Sequence, residues 1–201
     1  VREAHDANFQ LAIHAIGDKA VDMTLTAIEK AQTKNPRKNL RHRIEHASLL
    51  NEKLIDRMKK LNIIASVQPH FIISDFWTVD RLGHERARWV YPFKTLMHEG
   101  VLTTGSSDCP VEPISPLLGI YAAVTRKENQ EERITVNEAL RMYTINAAYA
   151  SFEENIKGSI EVDKLADLTV LSHEPEEIAP EKIKNIEVEM TIVGGKIVYS
   201  K

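Results

Sequence analysis

Two histidines and one aspartate are the residues of this sequence best spaced for chemistry. His14 and His46 lie 32 residues apart, about one strand–helix repeat, and Asp108 follows the small-residue run Gly105-Ser106-Ser107. If each ends a parallel strand, the side chains converge on one point above a sheet. Imidazole nitrogens suit zinc, iron, nickel or copper, and a carboxylate among them suits a hydrolytic centre of the zinc type. A metal held this way acidifies its bound water, so that hydroxide forms near neutral pH. The carboxylate can take the water's proton and return it to a leaving group. Taken singly, each residue also has a plain structural reading. A lone histidine at a strand end is more often a hydrogen-bonded structural group than a ligand. Asp18 suits a helix cap and Asp108 a turn cap, while Glu45 either supports a ligand or pairs with Arg43. Cys109 has no base beside it in sequence and reads as a small packed thiol. His5, His42, His84, His98 and His173 lack spacing partners and are assigned no role.

These residues need a scaffold, and the hydrophobic pattern supplies one. Residues 9–13 form an apolar run that reads as a buried strand. After His14-Ala15-Ile16-Gly17-Asp18, the spacing of Val21, Leu25 and Ile28 predicts an amphipathic helix ending near Asn35-Pro36. Residues 41–46 stand where a second strand belongs. Asn51 opens a helix carrying Leu54, Ile55, Met58 and Leu61, and Asn62 ends it. Residues 63–67 form a third strand, closed by Gln68-Pro69. An irregular segment holding Trp77 and Trp89 follows, with a helix over 92–98 stopped by Gly100. Residues 101–105 are the fourth strand. Strand–helix alternation repeated four times predicts a parallel sheet with right-handed crossovers. The four turns after the strands hold His14, His46, the Gln68-Pro69-His70 group and Asp108, where α/β active sites form.

Past Pro116 two more helices are expected. The second opens with a capping box, Thr135 and Glu138, and runs to about Phe152. Residues 157–172 and 187–200 read as short β segments with turns at Gly158 and Gly194-Gly195. A Pro- and Glu-rich stretch over 173–181 separates them as a solvated loop. The boundary falls near residue 155, giving an α/β body over 1–155 and a small β unit over 156–201.

Composition narrows the partners. With 201 residues, 43% hydrophobic and 27% charged, the chain can bury a sizeable core, which excludes bulk disorder. No run approaches the roughly 18 apolar residues of a membrane span. Lys and Arg number 26 against 29 Asp and Glu, a net charge of −3, with no basic block longer than Lys59-Lys60. Nucleic acid and membrane surfaces are therefore poor partners. The single cysteine, Cys109, cannot make an intrachain disulfide and fits a reducing, cytoplasmic compartment. The chain opens at Val1 in what reads as the last turns of a helix, so it is expected to be cut from a longer one.

Several motifs occur in a telling order: His14-Ala15-Ile16-Gly17-Asp18-Lys19-Ala20, Arg43-Ile44-Glu45-His46-Ala47, Ser66-Val67-Gln68-Pro69-His70 and Gly105-Ser106-Ser107-Asp108-Cys109-Pro110. With Glu85-Arg86-Ala87, the Thr-x-Asn-Ala-Ala spacing that ends at Ala148, and Lys157-Gly158-Ser159-Ile160, they closely resemble the second half of metal-dependent amidohydrolases. The nearest branch is the third amidohydrolase family, which includes N-substituted formamide deformylases. The resemblance covers essentially the whole chain. It implies the second half of a (β/α)8 barrel, about four parallel strands with their helices, plus part of a small β-sandwich. It implies that His14, His46 and Asp108 follow strands five, six and eight, the histidines as metal ligands and Asp108 as ligand and proton shuttle. It places Gln68, His70 and Arg86 near the substrate. The function implied is hydrolysis of a non-peptide C–N bond, amide or formamide, in a small molecule by metal-activated water, with zinc as the divalent metal.

The first-strand His-x-His pair and the bridging residue of that family are not in this sequence, so weak or substoichiometric metal is expected. A half-barrel of about 155 residues leaves apolar strand edges, because a full barrel needs roughly 250 residues. Such edges predict a homo-oligomer. Two other readings compete. One is a catalytically inactive fragment that persists as a self-associating half-barrel. The other is a doubly wound domain binding a small anion, which the absence of a Gly-rich phosphate loop disfavours.

Overall fold

The computed structural model describes residues 1–201. Helix α1 (Arg2–Asp6) leads to strand β1 (Ala12–Ala15), helix α2 (Asp18–Lys34) and strand β2 (Arg43–His46). Helix α3 (Glu52–Lys60) and strand β3 (Ile64–Val67) follow; three short helices, α4 (Phe71–Ser74), α5 (Thr78–Leu82) and α6 (His84–Ala87), then fill the irregular segment. Helix α7 (Phe93–His98) precedes strand β4 (Thr103–Gly105). The four strands form one parallel sheet in the order β1-β2-β3-β4, as the alternation predicts.

Side-chain chemistry accounts for these elements. In α2 the residues Val21, Leu25 and Ile28 are fully buried, so its apolar stripe faces the sheet. Asn51 caps α3, its side-chain oxygen accepting from the Leu54 amide at 3.0 Å. Arg57 on α3 reaches back to α2, donating to Asp22 at 2.6 Å and Glu29 at 2.8 Å. On the sheet, Ala15, Ile44, Ala65 and Val67 are completely buried and share one core with Leu25, Ile55, Phe93 and Leu96.

Helix α9 (Val136–Tyr143) packs close to helix α8 (Pro116–Thr125) and to β4. Two glycines permit this approach. A Cβ on Gly119 would lie 1.9 Å from the Tyr143 hydroxyl, and one on Gly105 would lie 2.5 Å from the Tyr143 ring. The expected capping box is present at the start of α9. The helix does not run unbroken to Phe152, however. It breaks at Thr144 (φ −123°, ψ −101°) and resumes as α10 (Ile145–Ala150). The Thr144 hydroxyl donates to the Leu140 carbonyl at 2.8 Å, and the break lets the Asn146 side chain reach the Thr103 carbonyl of β4 at 3.0 Å.

Helix α10 also meets the chain near the amino ends of β1 and β2. Gln10 donates to the Ala150 carbonyl at 2.7 Å, and Arg41 makes a two-pronged pair with Glu154 at 2.8 and 2.6 Å. That pairing pulls the Glu154 carboxyl down to about 2.

The tail forms a second, antiparallel sheet of β5 (Leu168–Leu171), β6 (Val188–Val193) and β7 (Lys196–Ser200). Of the expected segment 157–172, only Leu168–Leu171 is strand. The preceding turn closes on its own side chains, with Lys164 donating to Ser159 at 2.5 Å and Ser159 to Glu161 at 2.6 Å. A 3₁₀ helix, Pro180–Asn185, sends Ile183 into the main core beside Ile186. The tail sheet is thus pinned to the barrel core by residues that follow the solvated loop. Four parallel strands with their helices make this a partial (β/α) barrel carrying a small β unit. No helix is long and apolar enough to cross a membrane.

Candidate active site

His14 is the third residue of β1 and is exposed; His46 ends β2 and is buried. Strand register sets a problem for bringing them together. His14 pairs with Glu45, and His46 pairs with Ala15. Regular alternation would then send the two rings to opposite faces of the sheet. The backbone breaks that alternation, because His46 has φ +77° and Ala47 φ +46°. Non-glycine residues in this region carry strain and gather at functional sites. The outcome is a direct contact, with His14 Nδ1 2.9 Å from His46 Nε2 and the rings edge to face at 78°.

Two nitrogens at this spacing fit a metal. An ion at the usual zinc–nitrogen distance from both would subtend an angle of about 90° between them. The set is not complete within this chain, since no three His, Cys, Asp or Glu side chains group closely enough to hold an ion. Asp108 stands three residues beyond β4, exposed and also left-handed at φ +56°. The structure therefore joins His14 to His46 and leaves Asp108 outside their contact. It remains at the same end of the sheet, because it follows the carboxyl end of β4 as His46 stands at the carboxyl end of β2.

The other residues singled out from the sequence are placed as follows. Gln68 is 2% exposed and lies under His46, its Oε1 2.8 Å from His46 Nδ1, so it touches a histidine rather than open space. His70 Nδ1 sits 2.5 Å from Glu112, a partly buried pair that joins the loops after β3 and β4. Arg86 donates to Asp18 at 2.9 Å and so ties α6 to the turn after His14. Asp18 does not cap α2 from the N-cap position, which Gly17 occupies. Glu45 pairs with Arg43 at 2.5 Å. Cys109 is exposed, not a packed thiol, because it follows Asp108 in the loop outside the core.

Sequence reasoning assigns no role to three residues here: Ser106, Tyr91 and Glu112. Ser106 and Glu112 flank Asp108 in the loop after β4, which is a usable signal; Tyr91 has none. Burial pushes the Tyr91 hydroxyl well above its ordinary value, and the nearby Asp75, Asp108 and Glu112 charges add to this. Asp75 is raised too, first by burial and then by Glu112. The carboxyl end of β3 and β4 is thus an acidic rim around a buried phenol.

Comparison with known proteins agrees with this fold. The model of the "Amidohydrolase family" matches residues 1–199. YtcJ of Bacillus subtilis (strain 168), a protein named as an amidohydrolase, is 41% identical over 212 residues, covering 100% of this chain and 39% of that protein. The N-substituted formamide deformylase of Arthrobacter pascens is 30% identical over 209 residues, covering 98% of this chain and 38% of its own. Among solved structures, an uncharacterized metal-dependent hydrolase from Pyrococcus horikoshii OT3 superposes with a TM-score of 0.78 at 36% identity, covering 89% of this chain and 37% of that one. The chain spans about two-fifths of the length of these curated relatives. The motif order and the partial barrel agree with these matches, and the chain belongs to the amidohydrolase family.

Proposed function

We propose that this chain forms part of a metal-dependent hydrolase that cleaves a non-peptide C–N bond in a small amide or formamide. The observation that carries the reading is the 2.9 Å contact of His14 with His46 at the carboxyl ends of adjacent parallel strands. His14 and His46 would hold the ion, zinc being suited to such nitrogen donors, and Asp108 would join them. When bound, the metal acidifies water for attack on the substrate carbonyl. The Asp108 carboxylate would accept a proton from water on the attacking side and hand it to the departing nitrogen. His70, steadied by Glu112, and Arg86 offer polar contacts to the rest of the substrate, with Gln68 acting from beneath His46. The formamide class is supported by the name of the deformylase relative. The single unpaired thiol suits a cytoplasmic setting.

With two close nitrogens rather than a full ligand set, this chain should retain less than one ion. Elemental analysis after purification without chelator tests this. Substoichiometric metal that disappears in His46→Ala supports the reading. Two ions per chain, or no uptake even with added zinc, contradicts it.

A second reading, an inactive chain persisting through self-association, is favoured by the missing third ligand. Hydrolysis of N-substituted formamides with zinc added separates the two. In both readings we propose a homo-oligomer, because β1 and β4 are the sheet's edges and β7 is exposed along its whole length. Sedimentation at micromolar concentration should show a dimer or larger; a monodisperse monomer rejects it.

A further inference from the structure

The amide of Gln68 is surrounded on every side. Its Nε2 donates to the Ser66 carbonyl at 3.1 Å and to the Ser106 hydroxyl oxygen at 2.8 Å. The Ser106 hydroxyl spends its own proton on the Val67 carbonyl at 3.2 Å. Its Oε1 faces His46 Nδ1 at 2.8 Å and accepts from the Tyr91 hydroxyl at 3.4 Å. Two donors and two acceptor sites are therefore all in use, which is the full capacity of a carboxamide. Rotating the amide by half a turn would set Oε1 against the Ser66 carbonyl with no proton between them. It would leave buried groups unpaired, which a protein interior strongly disfavours. The orientation is thus held jointly by the Ser66 carbonyl, which can only accept, and by the Ser106 hydroxyl, whose proton is committed to the Val67 carbonyl.

We propose that Gln68 is a positioning residue that holds His46 as its Nδ1–H tautomer and so keeps the Nε2 lone pair turned toward His14. An amide oxygen can only accept, so the proton on this contact belongs to His46 Nδ1. Nε2 is then the basic nitrogen, as a metal ligand must be. His14 is under no such constraint, since its Nε2 has no protein partner and its Nδ1 meets only His46. One histidine of the pair is set in advance, and the other adapts. The frame that sets it comes from three places: Ser66 on β3, Ser106 after β4, and Tyr91 ahead of α7. The inference rests on the reading of His14 and His46 as metal ligands, and ligand histidines oriented by such partners lose metal affinity when the partner is removed.

Nitrogen NMR of the metal-free 201-residue chain, compared among wild type, Gln68→Met and Gln68→Glu, tests the lock first. The wild type should show His46 with a protonated Nδ1 and a bare Nε2. Gln68→Met keeps the shape without the acceptor and should shift the ring toward the other tautomer. Gln68→Glu restores an acceptor for His46 Nδ1, with its other oxygen carrying a proton to meet the Ser66 carbonyl, and should restore the wild-type pattern. Zinc titration should then show Gln68→Met binding about 10- to 100-fold more weakly than wild type, with Gln68→Glu within a few-fold. Ser106→Ala, which removes one anchor and keeps the other, should fall between and serves if Gln68→Met does not fold. A wild-type His46 protonated at Nε2 overturns the proposal, as does a Gln68→Met or Ser106→Ala protein with unchanged tautomer. If the wild type shows the tautomer lock but binds no zinc, the metal-ligand reading falls while the positioning role stands.

Discussion

This half-barrel contains two histidine pairs on the same two strand–helix units, and they are built to opposite specifications. His5 and His42 meet near the amino ends of β1 and β2 at 3.2 Å, and His14 and His46 meet at the carboxyl ends at 2.9 Å. In the first pair every ring nitrogen is satisfied by protein. The Leu11 amide donates to His42 Nδ1 at 3.0 Å, which leaves His42 Nε2–H to donate to His5 Nδ1; His5 Nε2–H then donates to the Asn35 carbonyl at 2.9 Å. Both rings are buried, at 0% and 2% exposure, and neither sits in left-handed backbone. In the second pair one ring is exposed, one nitrogen is spare, and the backbone at His46 is strained. Contact between imidazoles is common to both. What separates a structural pair from a candidate site is the spare nitrogen at the open end of the sheet.

The first way to break this comparison is to remove a member of the closed pair. His42→Leu strands the Leu11 amide and His5 Nδ1 in the core, so it should lower stability by about 3 kcal/mol. Thermal or urea unfolding measures this, and zinc binding by the folded fraction should not change. A loss below about 1 kcal/mol would mean that the buried chain of hydrogen bonds contributes little.

Acid provides a nearly equal effect without mutation. Burial, aided by His5 and Arg37, pushes His42 down to about 4 from its ordinary 6.5. The unfolded chain takes a proton at His42 below about pH 6.5, and the folded chain does not until near 4. Stability from this group is therefore full above pH 6.5 and falls by about 3 kcal/mol as the pH drops to 4. His42→Leu should flatten that slope. An unchanged slope in the variant would assign the acid sensitivity to other groups.

The smallest effect is expected at the open pair. His14→Asn removes an exposed ring whose spare nitrogen holds nothing in the protein, so stability should change by less than about 0.5 kcal/mol. A large loss would make His14 structural and erase the contrast between the pairs.

Much of this arrangement was legible in the sequence, and the reason is periodicity. The 32-residue spacing of His14 and His46 equals one strand–helix unit, so both fall at the same end of the sheet. The apolar stripes of α2 and α3 and the Thr135 capping box were equally readable. What was not legible depends on local backbone exceptions and on distant partners. Nothing in Glu45-His46-Ala47 announces a positive φ, yet without it the two rings would lie on opposite faces. The His5–His42 pair joins residues 37 apart, one of them on a five-residue helix, with no periodic cue linking them. Gln68 stands out in the sequence for the turn it occupies, but its burial beneath His46 follows from the pairing of β3 with β2 on one side and β4 on the other. The break at Thr144 is likewise set by tertiary contact, the grip of Asn146 on β4, against a helical pattern that would otherwise continue.

The proposal separates an open pair that binds metal from a closed pair that does not. Following the ring resonances of all four histidines while zinc is added tests it most directly. The account predicts saturable shifts at His14 and His46 with His5 and His42 unmoved. Zinc-dependent shifts at His5 and His42, or none at His14 and His46, would contradict it.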